Sequence, residues 1–446
     1  MHIAIIGNGI AGSTAAIEIR KFSDHKITMI SNESPFPYSR TALMYIFMRH
    51  LRWKDTQLQE EEFWKRNQIE LIQDEVISIE SASNTIFLKS NSAISYGALI
   101  IASGSRPKPI ACTGSNLEGV HSLYHLQDLE KIEDSIKRIK TNAVIVGGGL
   151  IGIELAEMLL SRNIPIWYII RESNFWNSVL PNEESSMVSA HIREHGIELI
   201  PNSELESIQG RSAVESVALK TGQKWNAEFV GICIGVDPNI SWINPDSGIS
   251  LDRGILVNEF LETNVNSIYA IGDCAQLSSV SPGRKSIEAI WYSAKKMGEH
   301  VAQTICKNKL SYKPGLWYNS AKFFDIEYQV YGDVAAKPDD DTATIFWKHP
   351  QKNQSIRINY HKHNKQVLGF LLMGIRYRQN VCLDWIQRKI TIEEVISQLS
   401  LANFDPEFFH RNEQSLVQMV NEQHETQIKL RKEQKSMFSS FFKKKF

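Results

Sequence analysis

Two segments of the chain share one order of hydrophobic and polar positions. Each has a short β-branched run, then three glycines, then apolar residues at helical intervals: HIAIIGNGIAGSTAAIEIR from His2 and AVIVGGGLIGIELAEMLL from Ala143. This order predicts a strand, a tight turn and a helix. A second apolar run follows each predicted helix, at 27–30 and at 166–170. The sequence therefore predicts two βαβ units, with parallel sheets in two separate domains.

The rest of the pattern divides the chain further. Residues 96–104 are typical of a buried strand that ends at a turn, and linker-like stretches lie at 106–110 and 235–238. Strand-like runs predict a small α+β domain, and beyond about residue 384 the pattern is helical and increasingly polar; the runs are 342–347, 355–360 and 366–373. The boundaries we predict are 1–110 with 235–310 for the first domain, 111–234 for the second, 311–383 for the third and 384–446 for a helical extension.

The composition narrows the function classes. At 446 residues the chain is too long for one hydrophobic core, and its net charge of -1 gives no reason to expect a nucleic-acid partner. No apolar run reaches the ~18 to 20 residues of a membrane-spanning helix. Met1 and His2 lead directly into the first apolar strand without a basic flank or a cleavage site, so the cytoplasm is the expected compartment.

The cysteines are widely scattered and form neither a CxxC redox pair nor a zinc spacing. They are Cys112, Cys233, Cys274, Cys306 and Cys382. We expect them to be small buried apolar residues, and we expect no metal site.

The glycine spacing GxGxxG has a physical basis. The first glycine permits the tight turn after the strand, the second lets the backbone approach a pyrophosphate, and the third lets helix and strand pack closely. The pyrophosphate then binds unpaired N–H groups at the helix N-terminus, where the macrodipole favours negative charge. Two copies in the right context predict two dinucleotide sites, at Gly7, Gly9 and Gly12 and at Gly147, Gly149 and Gly152.

A third motif, TNVNSIYAIGD at 263–273, predicts a strand that ends in Gly-Asp. Together with ASGSRP at 102–107 and Tyr38-Ser39-Arg40, it makes the chain resemble the pyridine nucleotide-disulphide oxidoreductase superfamily over about residues 1–374. The similarity is to the ferredoxin and rubredoxin reductase-like branch, which lacks a redox-active disulphide. It implies an α/β fold with two nested Rossmann-like domains, a small C-terminal α+β interface domain and a helical tail. The first predicted domain would bind FAD and the second NAD(P)H.

The resemblance also implies roles for individual residues. Asp273 would bind the flavin ribityl chain, and a helix predicted over 286–306 would direct its N-terminus at the pyrimidine edge of the flavin. Trp291, in the second turn of that helix, would contact the flavin or pack as a core aromatic. The residues implied for FAD are Gly7, Gly9, Ala11, Gly12, Asn32, Glu33, Arg40, Ala102, Ser103, Gly104, Gly272, Asp273 and Trp291. Those implied for NAD(P) are Gly147, Gly149, Ile151, Gly152 and Arg171, and the catalytic candidates are Glu154 and Arg40.

Several positions depart from the family pattern. Asn32 stands where an acid usually binds the adenosine ribose of FAD, with Glu33 beside it. In the second domain Arg171 suits the 2′-phosphate of NADPH, while Glu172 suits the ribose 2′-hydroxyl of NADH. We therefore expect NADPH or NADH as hydride donor, with Arg171 favouring NADPH.

Members of this branch often have a lysine that pairs with a glutamate of the second glycine helix, and this chain lacks that lysine. Glu154 supplies the glutamate, but Tyr45 stands at the lysine position. Arg40 would take the place of the lysine, or the pair is absent. Glu154 would then be a nicotinamide contact or a partly buried helix glutamate with a structural partner.

No cysteine lies between residues 1 and 111, although family members that reduce disulphides or peroxides need a thiolate against the flavin there. The resemblance therefore implies an FAD-dependent oxidoreductase that transfers hydride from NAD(P)H to flavin and electrons on to a small redox protein such as a ferredoxin or rubredoxin. One alternative is a membrane-surface quinone reductase. Another is a redox-gated assembly flavoprotein that resembles apoptosis-inducing factor.

The last segment, 421–446, carries an excess of basic residues with phenylalanines among its final lysines. Such a segment could lie on an anionic membrane surface as an amphipathic helix. It could equally be a solvated tail or dock on a second subunit or partner. Peripheral membrane contact and a homodimer formed through the third domain are thus expectations that the sequence leaves open.

Overall fold

The computed structural model of the protein describes residues 1–280, 284–404 and 411–431. Its strands, numbered along the chain, are β1 (His2–Ile6), β2 (Lys26–Ser31), β3 (Ile69–Gln73), β4 (Val76–Glu80), β5 (Thr85–Leu88), β6 (Ala93–Ser95), β7 (Ala98–Ile101), β8 (Ser105–Pro107), β9 (Val120–His121), β10 (Ala143–Val146), β11 (Ile166–Ile169), β12 (Glu198–Ile200), β13 (Leu205–Gln209), β14 (Ser216–Leu219), β15 (Lys224–Asn226), β16 (Phe229–Ile232), β17 (Val236–Pro238), β18 (Ile255–Val257), β19 (Ile268–Ala270), β20 (Ala275–Leu277), β21 (Tyr318–Phe323), β22 (Ile326–Gly332), β23 (Thr342–Lys348), β24 (Ser355–His361) and β25 (Val367–Met373).

The α-helices are α1 (Ile10–Phe22), α2 (Leu43–Phe47), α3 (Glu61–Arg66), α4 (Leu126–Ile136), α5 (Leu150–Leu160), α6 (Asn182–Glu194), α7 (Trp291–Cys306), α8 (Gln379–Gln387), α9 (Ile392–Gln398) and α10 (Glu413–His424). Among the described residues, none of these helices is both long and apolar enough to cross a membrane. The elements form two compact units. One consists of Met1–Phe175 with Ile192–Pro314, and the other of Trp176–His191 with the chain from Gly315 onward.

The first unit contains two parallel sheets of five strands, as the paired glycine motifs predict. In the first sheet the order is β19-β7-β1-β2-β3, and in the second it is β12-β11-β10-β16-β9. The central strands β1 and β10 are buried on both faces, which explains why they are continuous apolar runs rather than alternating ones. Strand β19 follows the whole second sheet in sequence yet pairs with β7 of the first. The two Rossmann-like sheets are therefore nested, as the resemblance implied.

The two linker-like stretches of the sequence meet in space. Strand β8 pairs antiparallel with β17, so that Arg106 lies opposite Asp237 and Pro107 opposite Val236. The chain thus leaves the first sheet and returns to it through one two-stranded ribbon. The predicted domain boundaries at these stretches stay a prediction, because contacts alone group both sheets into one unit.

The second unit contains the antiparallel sheet β21-β22-β25-β24-β23 with helices α8, α9 and α10. Strands β23, β24 and β25 coincide within one residue with the runs predicted from the sequence. Their apolar side chains form a core with those of the helices, in which Ile356, Ile358 and Phe370 are fully buried. A small antiparallel sheet packed against helices is therefore present, while the predicted bounds of 311–383 and of a separate helical extension stay a prediction. The basic and aromatic residues from 432 to 446 lie outside the described part of the chain.

The helix predicted over 286–306 begins later than expected. Helix α7 starts at Trp291, so this residue is the first of the helix and not part of its second turn. The preceding residues are held in another arrangement, because Ser286 accepts a backbone hydrogen bond from Leu277 and Arg284 forms an ion pair with Glu288 at 2.5 Å. Ser293 also donates to Glu288. Apolar periodicity did not reveal these polar contacts.

A buried ion pair connects the segment Trp176–His191 to the antiparallel sheet of the second unit. Arg357 on β24 donates to both carboxylate oxygens of Glu184, at 2.8 and 2.9 Å, and also to Glu183. The Glu184 side chain is 0% exposed and that of Arg357 is 7% exposed. Burial raises the pKa of Glu184, although the Arg357 charge acts against this rise. Glu184 therefore depends on Arg357 to stay charged in an apolar setting.

Replacing Arg357 with alanine should destabilise the protein by about 3–5 kcal/mol, because the substitution leaves a buried carboxylate without its cation. Chemical denaturation followed by fluorescence measures the loss. Arg376→Ala is the matched control, since its ion pair with Glu327 is about one third exposed and should contribute under about 1 kcal/mol. Equal effects of the two substitutions would contradict the assignment.

Candidate cofactor site

All five strands of the first sheet end at one edge, where a cavity of about 580 Å³ opens. The lining residues that end or directly follow these strands are Ile6, Ser31, Asp74, Ala102 and Ile271. Ligands of open parallel sheets bind outside the carboxyl ends of the strands, and this volume is in the range of cofactor pockets.

Most of the residues predicted for FAD and for catalysis line this cavity, together with Ile151, which was predicted for NAD(P). The FAD and catalytic residues in the lining are Gly7, Gly9, Ala11, Asn32, Glu33, Arg40, Ala102, Ser103, Gly104, Glu154, Gly272, Asp273 and Trp291. The predicted residues outside the lining are Gly12, Gly147, Gly149, Gly152 and Arg171. The cavity therefore brings Glu154 of the second glycine helix together with the first glycine loop.

The first glycine loop has one open position between two crowded ones. A Cβ on Gly7 would lie 2.2 Å from the Ala102 carbonyl oxygen, and Gly7 has φ +106, which a side chain rarely adopts. A Cβ on Gly12 would lie 2.1 Å from the Gly7 carbonyl oxygen. Around Gly9, the residue before α1, nothing lies within 4 Å of such an atom. The loop therefore packs tightly at both ends and leaves its middle free for a ligand.

The second glycine loop repeats this arrangement. A Cβ on Gly147 would lie 2.2 Å from the Cys233 carbonyl oxygen, and one on Gly152 would lie 2.4 Å from the Gly147 carbonyl oxygen. Gly149, before α5, again has nothing within 4 Å. Both open positions adjoin helix N-termini without a side-chain cap, so their N–H groups suit a diphosphate. The residues present thus fit two dinucleotides.

Glu33 is the centre of a polar cluster on the cavity wall. Arg40 binds both of its carboxylate oxygens, at 2.5 and 3.0 Å, and Tyr38 donates a short hydrogen bond to it. Burial alone would raise the pKa of Glu33, but His125 and Arg40 hold it well below its ordinary value. Because Arg40 and Tyr38 already bind this carboxylate, it is not free in the way that a ribose-binding acid would be. Asn32 lines the cavity beside it and is exposed.

Arg40 interacts with residues other than Glu154. Besides Glu33 it donates to the Tyr124 backbone carbonyl, and its guanidinium lies 4.4 Å from the centre of the Tyr124 ring. No ion pair or hydrogen bond joins Arg40 to Glu154 in the described part of the chain. The structure therefore favours the alternative in which the lysine–glutamate pair of the family is absent.

Asp273 lies in a short 3₁₀ turn, Gly272–Cys274, at the end of β19. The Ser105 hydroxyl donates to one of its carboxylate oxygens at 2.9 Å. Burial raises the pKa of Asp273, and the hydrogen bond from Ser105 and the Arg40 charge act against this rise. A half-buried carboxylate at the cavity wall is suited to accept a hydrogen bond from a ligand hydroxyl.

The cysteines near the cavity are buried thiols. All five cysteines are free, and burial raises the pKa of Cys233 to about 12 and also raises that of Cys274. None of the five lines the cavity. A thiolate able to attack a substrate or stack on a flavin is therefore not provided by these residues.

Sequence reasoning missed several lining residues: Asp74, Glu75, Ser105, Tyr124 and His125. A signal existed for the first two, because they directly follow a parallel strand on the edge that carries Gly7. Tyr124 and His125 come from the stretch between β9 and α4, where no motif marks them. Only the folded chain brings Tyr124 to Arg40 and His125 to Glu33.

The sequence model of the family described as "Pyridine nucleotide-disulphide oxidoreductase" matches residues 1–298. NADH-rubredoxin oxidoreductase of Clostridium acetobutylicum is 32% identical over 312 residues, covering 70% of this chain and 76% of that protein. Nitrite reductase [NAD(P)H] of Bacillus subtilis is 25% identical over 403 residues, which cover 90% of this chain but only 49% of that protein. The crystal structure of the ferredoxin reductase for the CYP199A2 system of Rhodopseudomonas palustris matches with a TM-score of 0.76 at 23% identity, covering 84% and 91% of the two chains. At that identity the structural match shows the fold.

Two alanine substitutions in the first loop should have different effects. Gly9→Ala should leave the stability of the flavin-free protein unchanged but weaken FAD binding at least tenfold, because the methyl group fills the space that a diphosphate needs. Gly12→Ala should lower stability instead, because its Cβ meets backbone. Thermal unfolding and flavin fluorescence titration separate the two effects. Wild-type FAD affinity in Gly9→Ala would show that this loop is not the flavin cradle.

Proposed function

Since this chain belongs to the pyridine nucleotide-disulphide oxidoreductase family, we propose that it passes electrons from NAD(P)H through FAD to a small electron-transfer protein of the ferredoxin or rubredoxin type. It is an FAD-dependent NAD(P)H oxidoreductase without a redox-active disulphide. The observation that carries the proposal is the cavity at the sheet edge. It combines an open glycine loop, the half-buried Asp273 and the second glycine helix, and no cysteine lines it.

The chain's own residues would bind and orient the cofactors. The loop at Gly9 would hold the FAD diphosphate and Asp273 its ribityl hydroxyls, while the loop at Gly149 would hold the NAD(P)H diphosphate. Bound FAD supplies the chemistry, since it accepts a hydride and releases electrons singly or in pairs. The protein contributes orientation and a fixed field, and no side-chain nucleophile is required.

Helix α7 contributes to that field. Trp291 and Ala294 of its first turn line the cavity, and its N-cap residue, Ile290, has no side chain that accepts from the first N–H groups. These groups and the positive end of a 16-residue helix would stabilise negative charge on a reduced flavin. Trp291 fits the proposed flavin contact better than the core position, because it lines the cavity and is only partly buried.

The acceptor is proposed from the relatives. Rubredoxin is the acceptor in the name of the Clostridium relative. Ferredoxin is the acceptor in the name of the ferredoxin–NAD(+) reductase subunit of the Pseudomonas putida benzene 1,2-dioxygenase system, which is 28% identical over 335 residues. These names favour neither the quinone reductase nor the assembly protein. Nitrite reduction is not carried over, because the chain spans 49% of that relative. Membrane contact through the tail and a homodimer stay predictions of the sequence.

The choice between NADH and NADPH is proposed from the residues after β11. A Cβ built on Gly148 would lie 3.6 Å from the Glu172 Oε2 atom, which places this carboxylate beside the second glycine loop. Arg171 is 77% exposed and donates to the other Glu172 oxygen at 2.8 Å, so it anchors the carboxylate. A carboxylate there binds a ribose 2′-hydroxyl and repels a 2′-phosphate. We therefore prefer NADH over the NADPH that Arg171 alone had favoured.

Glu172→Ala should weaken NADH binding about 10- to 100-fold, as expected for loss of a charged hydrogen-bond acceptor, and should weaken NADPH binding less. Steady-state KM values for both coenzymes measure this. Glu198→Gln, on the exposed face of β12, is the control and should change neither value. If Arg171→Ala weakened NADPH alone and Glu172→Ala changed nothing, NADPH would be the natural donor.

The proposed reaction predicts rapid flavin bleaching when anaerobic holoprotein is mixed with NADH in a stopped-flow instrument. The reduced protein should then reduce a [2Fe–2S] ferredoxin or a rubredoxin faster than it reduces oxygen or a soluble quinone. Prior treatment with iodoacetamide should leave the bleaching rate unchanged, because no cysteine lines the cavity and burial raises the pKa of both Cys233 and Cys274. Electron transfer to quinone alone, or inactivation by the reagent, would refute the proposal.

A further inference from the structure

Glu154 is a cavity residue without a polar partner. It lies just over one turn after Gly149 on α5, and its side chain lines the same cavity as Gly9 and Asp273. No hydrogen bond or ion pair joins it to any residue in the described ranges 1–280, 284–404 and 411–431, and its neighbours on the helix, Ile153 and Leu155, are buried. A carboxyl group in this position has little to stabilise its negative charge.

The elements packed against α5 supply no cation. Strands β10, β11 and β16 read AVIV, IWYI and FVGI, and α2 reads LMYIF. The side chains of these elements and of the residue after β16 that carry a titratable group are Tyr45, Tyr168 and Cys233, and none of these groups can carry a positive charge. On α5 itself the nearest charge is Glu157, which is of the same sign.

The basic residues that line the cavity are already paired with another carboxylate. Arg40 and His125 both lie against Glu33, at 2.5 and 3.4 Å. The remaining charged lining residues are acids: Asp74, Glu75 and Asp273. Burial, and then the Glu157 charge, raise the pKa of Glu154 to about 7. Glu154 is therefore an acid of the cavity whose pKa lies close to neutral pH.

We propose that Glu154 is the proton-binding site of this cavity, which takes up a proton from solvent when the dinucleotides and a reduced flavin bring negative charge beside it. This inference rests on the proposed function. In the step, the carboxylate and one solvent proton form a neutral carboxylic acid, and no electrons are exchanged at Glu154. The hydride passes separately from NAD(P)H to the flavin. The neutral acid then removes the repulsion that a second charge at the N-terminus of α5 would meet.

Proton uptake can be measured without turnover. The probe is tetrahydro-NADH, which carries the NADH diphosphate but cannot donate a hydride, titrated into holoprotein by calorimetry in buffers of different ionisation enthalpy. We expect uptake of a fraction of a proton per molecule bound, largest just above pH 7 and near zero at pH 5. Glu154→Gln should bind the probe without proton uptake.

Two further variants sharpen the test. Asp74→Asn is the matched control on the cavity wall, because a hydrogen bond from Ser90 holds the pKa of Asp74 below its ordinary value; it should keep the wild-type uptake. Glu157→Gln should keep the uptake but move its maximum to lower pH. If wild type and Glu154→Gln exchange equal numbers of protons, the proposal is wrong while the proposed function stands. If the probe does not bind at all, the proposed function fails as well.

Stability provides an independent measurement. The pKa of Glu154 is raised from 4.5 to about 7 in the folded protein, so its contribution to stability is complete below pH 4.5 and is lost as the pH rises through about 7. The thermal midpoint of the flavin-free protein should therefore fall over this range more steeply in wild type than in Glu154→Gln. Parallel curves would overturn the proposal.

Discussion

The site depends on the close approach of backbone to backbone at the two glycine loops. The Cα atoms of Gly7 and Gly147 lie so near the carbonyls of Ala102 and Cys233 that no side chain fits between them. These contacts hold the end of β1 against the end of β7, and the end of β10 against the end of β16. The turn after each strand then leads directly into the helix, with its backbone N–H groups exposed. The packing that closes each sheet therefore also forms the loop that, in the proposed function, binds a diphosphate.

Around these cradles the charges are arranged unevenly. The strongest cation of the cavity, Arg40, is neutralised by Glu33, and the cluster that they form with Tyr38 and Tyr124 fixes one wall. Positive charge in the cavity comes instead from α7, whose uncapped N-terminus carries partial positive charge on its backbone N–H groups. A field built from backbone dipoles costs no side-chain ordering when the redox state changes. This division explains how a cavity lined by many acids could still stabilise a reduced flavin.

The sequence was informative where chemistry requires a particular backbone. Both glycine loops, the nested parallel sheets and strands β23 to β25 were predicted correctly, because glycine spacing and apolar runs report directly on turns and burial. It was uninformative where polar side chains from distant segments meet. Ser286–Ile290 has helical periodicity, but Glu288 and Arg284 hold it outside the helix. Likewise nothing in the segment of Glu33 indicates that His125 and Leu126 approach it from more than 90 residues away.

The replacement at Tyr45 shows how one such long-range fact alters chemistry. A lysine on α2 would have given the glutamate of the second glycine helix a permanent partner and kept it ionised. The apolar helix LMYIF cannot do so, and Arg40 is held by Glu33. Two features therefore leave the Glu154 carboxyl without a partner: α2 has a tyrosine and no lysine, and Arg40 is paired with Glu33. A partly buried acid without a partner either remains neutral or ionises at a cost that varies with every charge brought near it. In this chain those charges arrive with the cofactors, so the protonation of Glu154 must follow their binding and redox state.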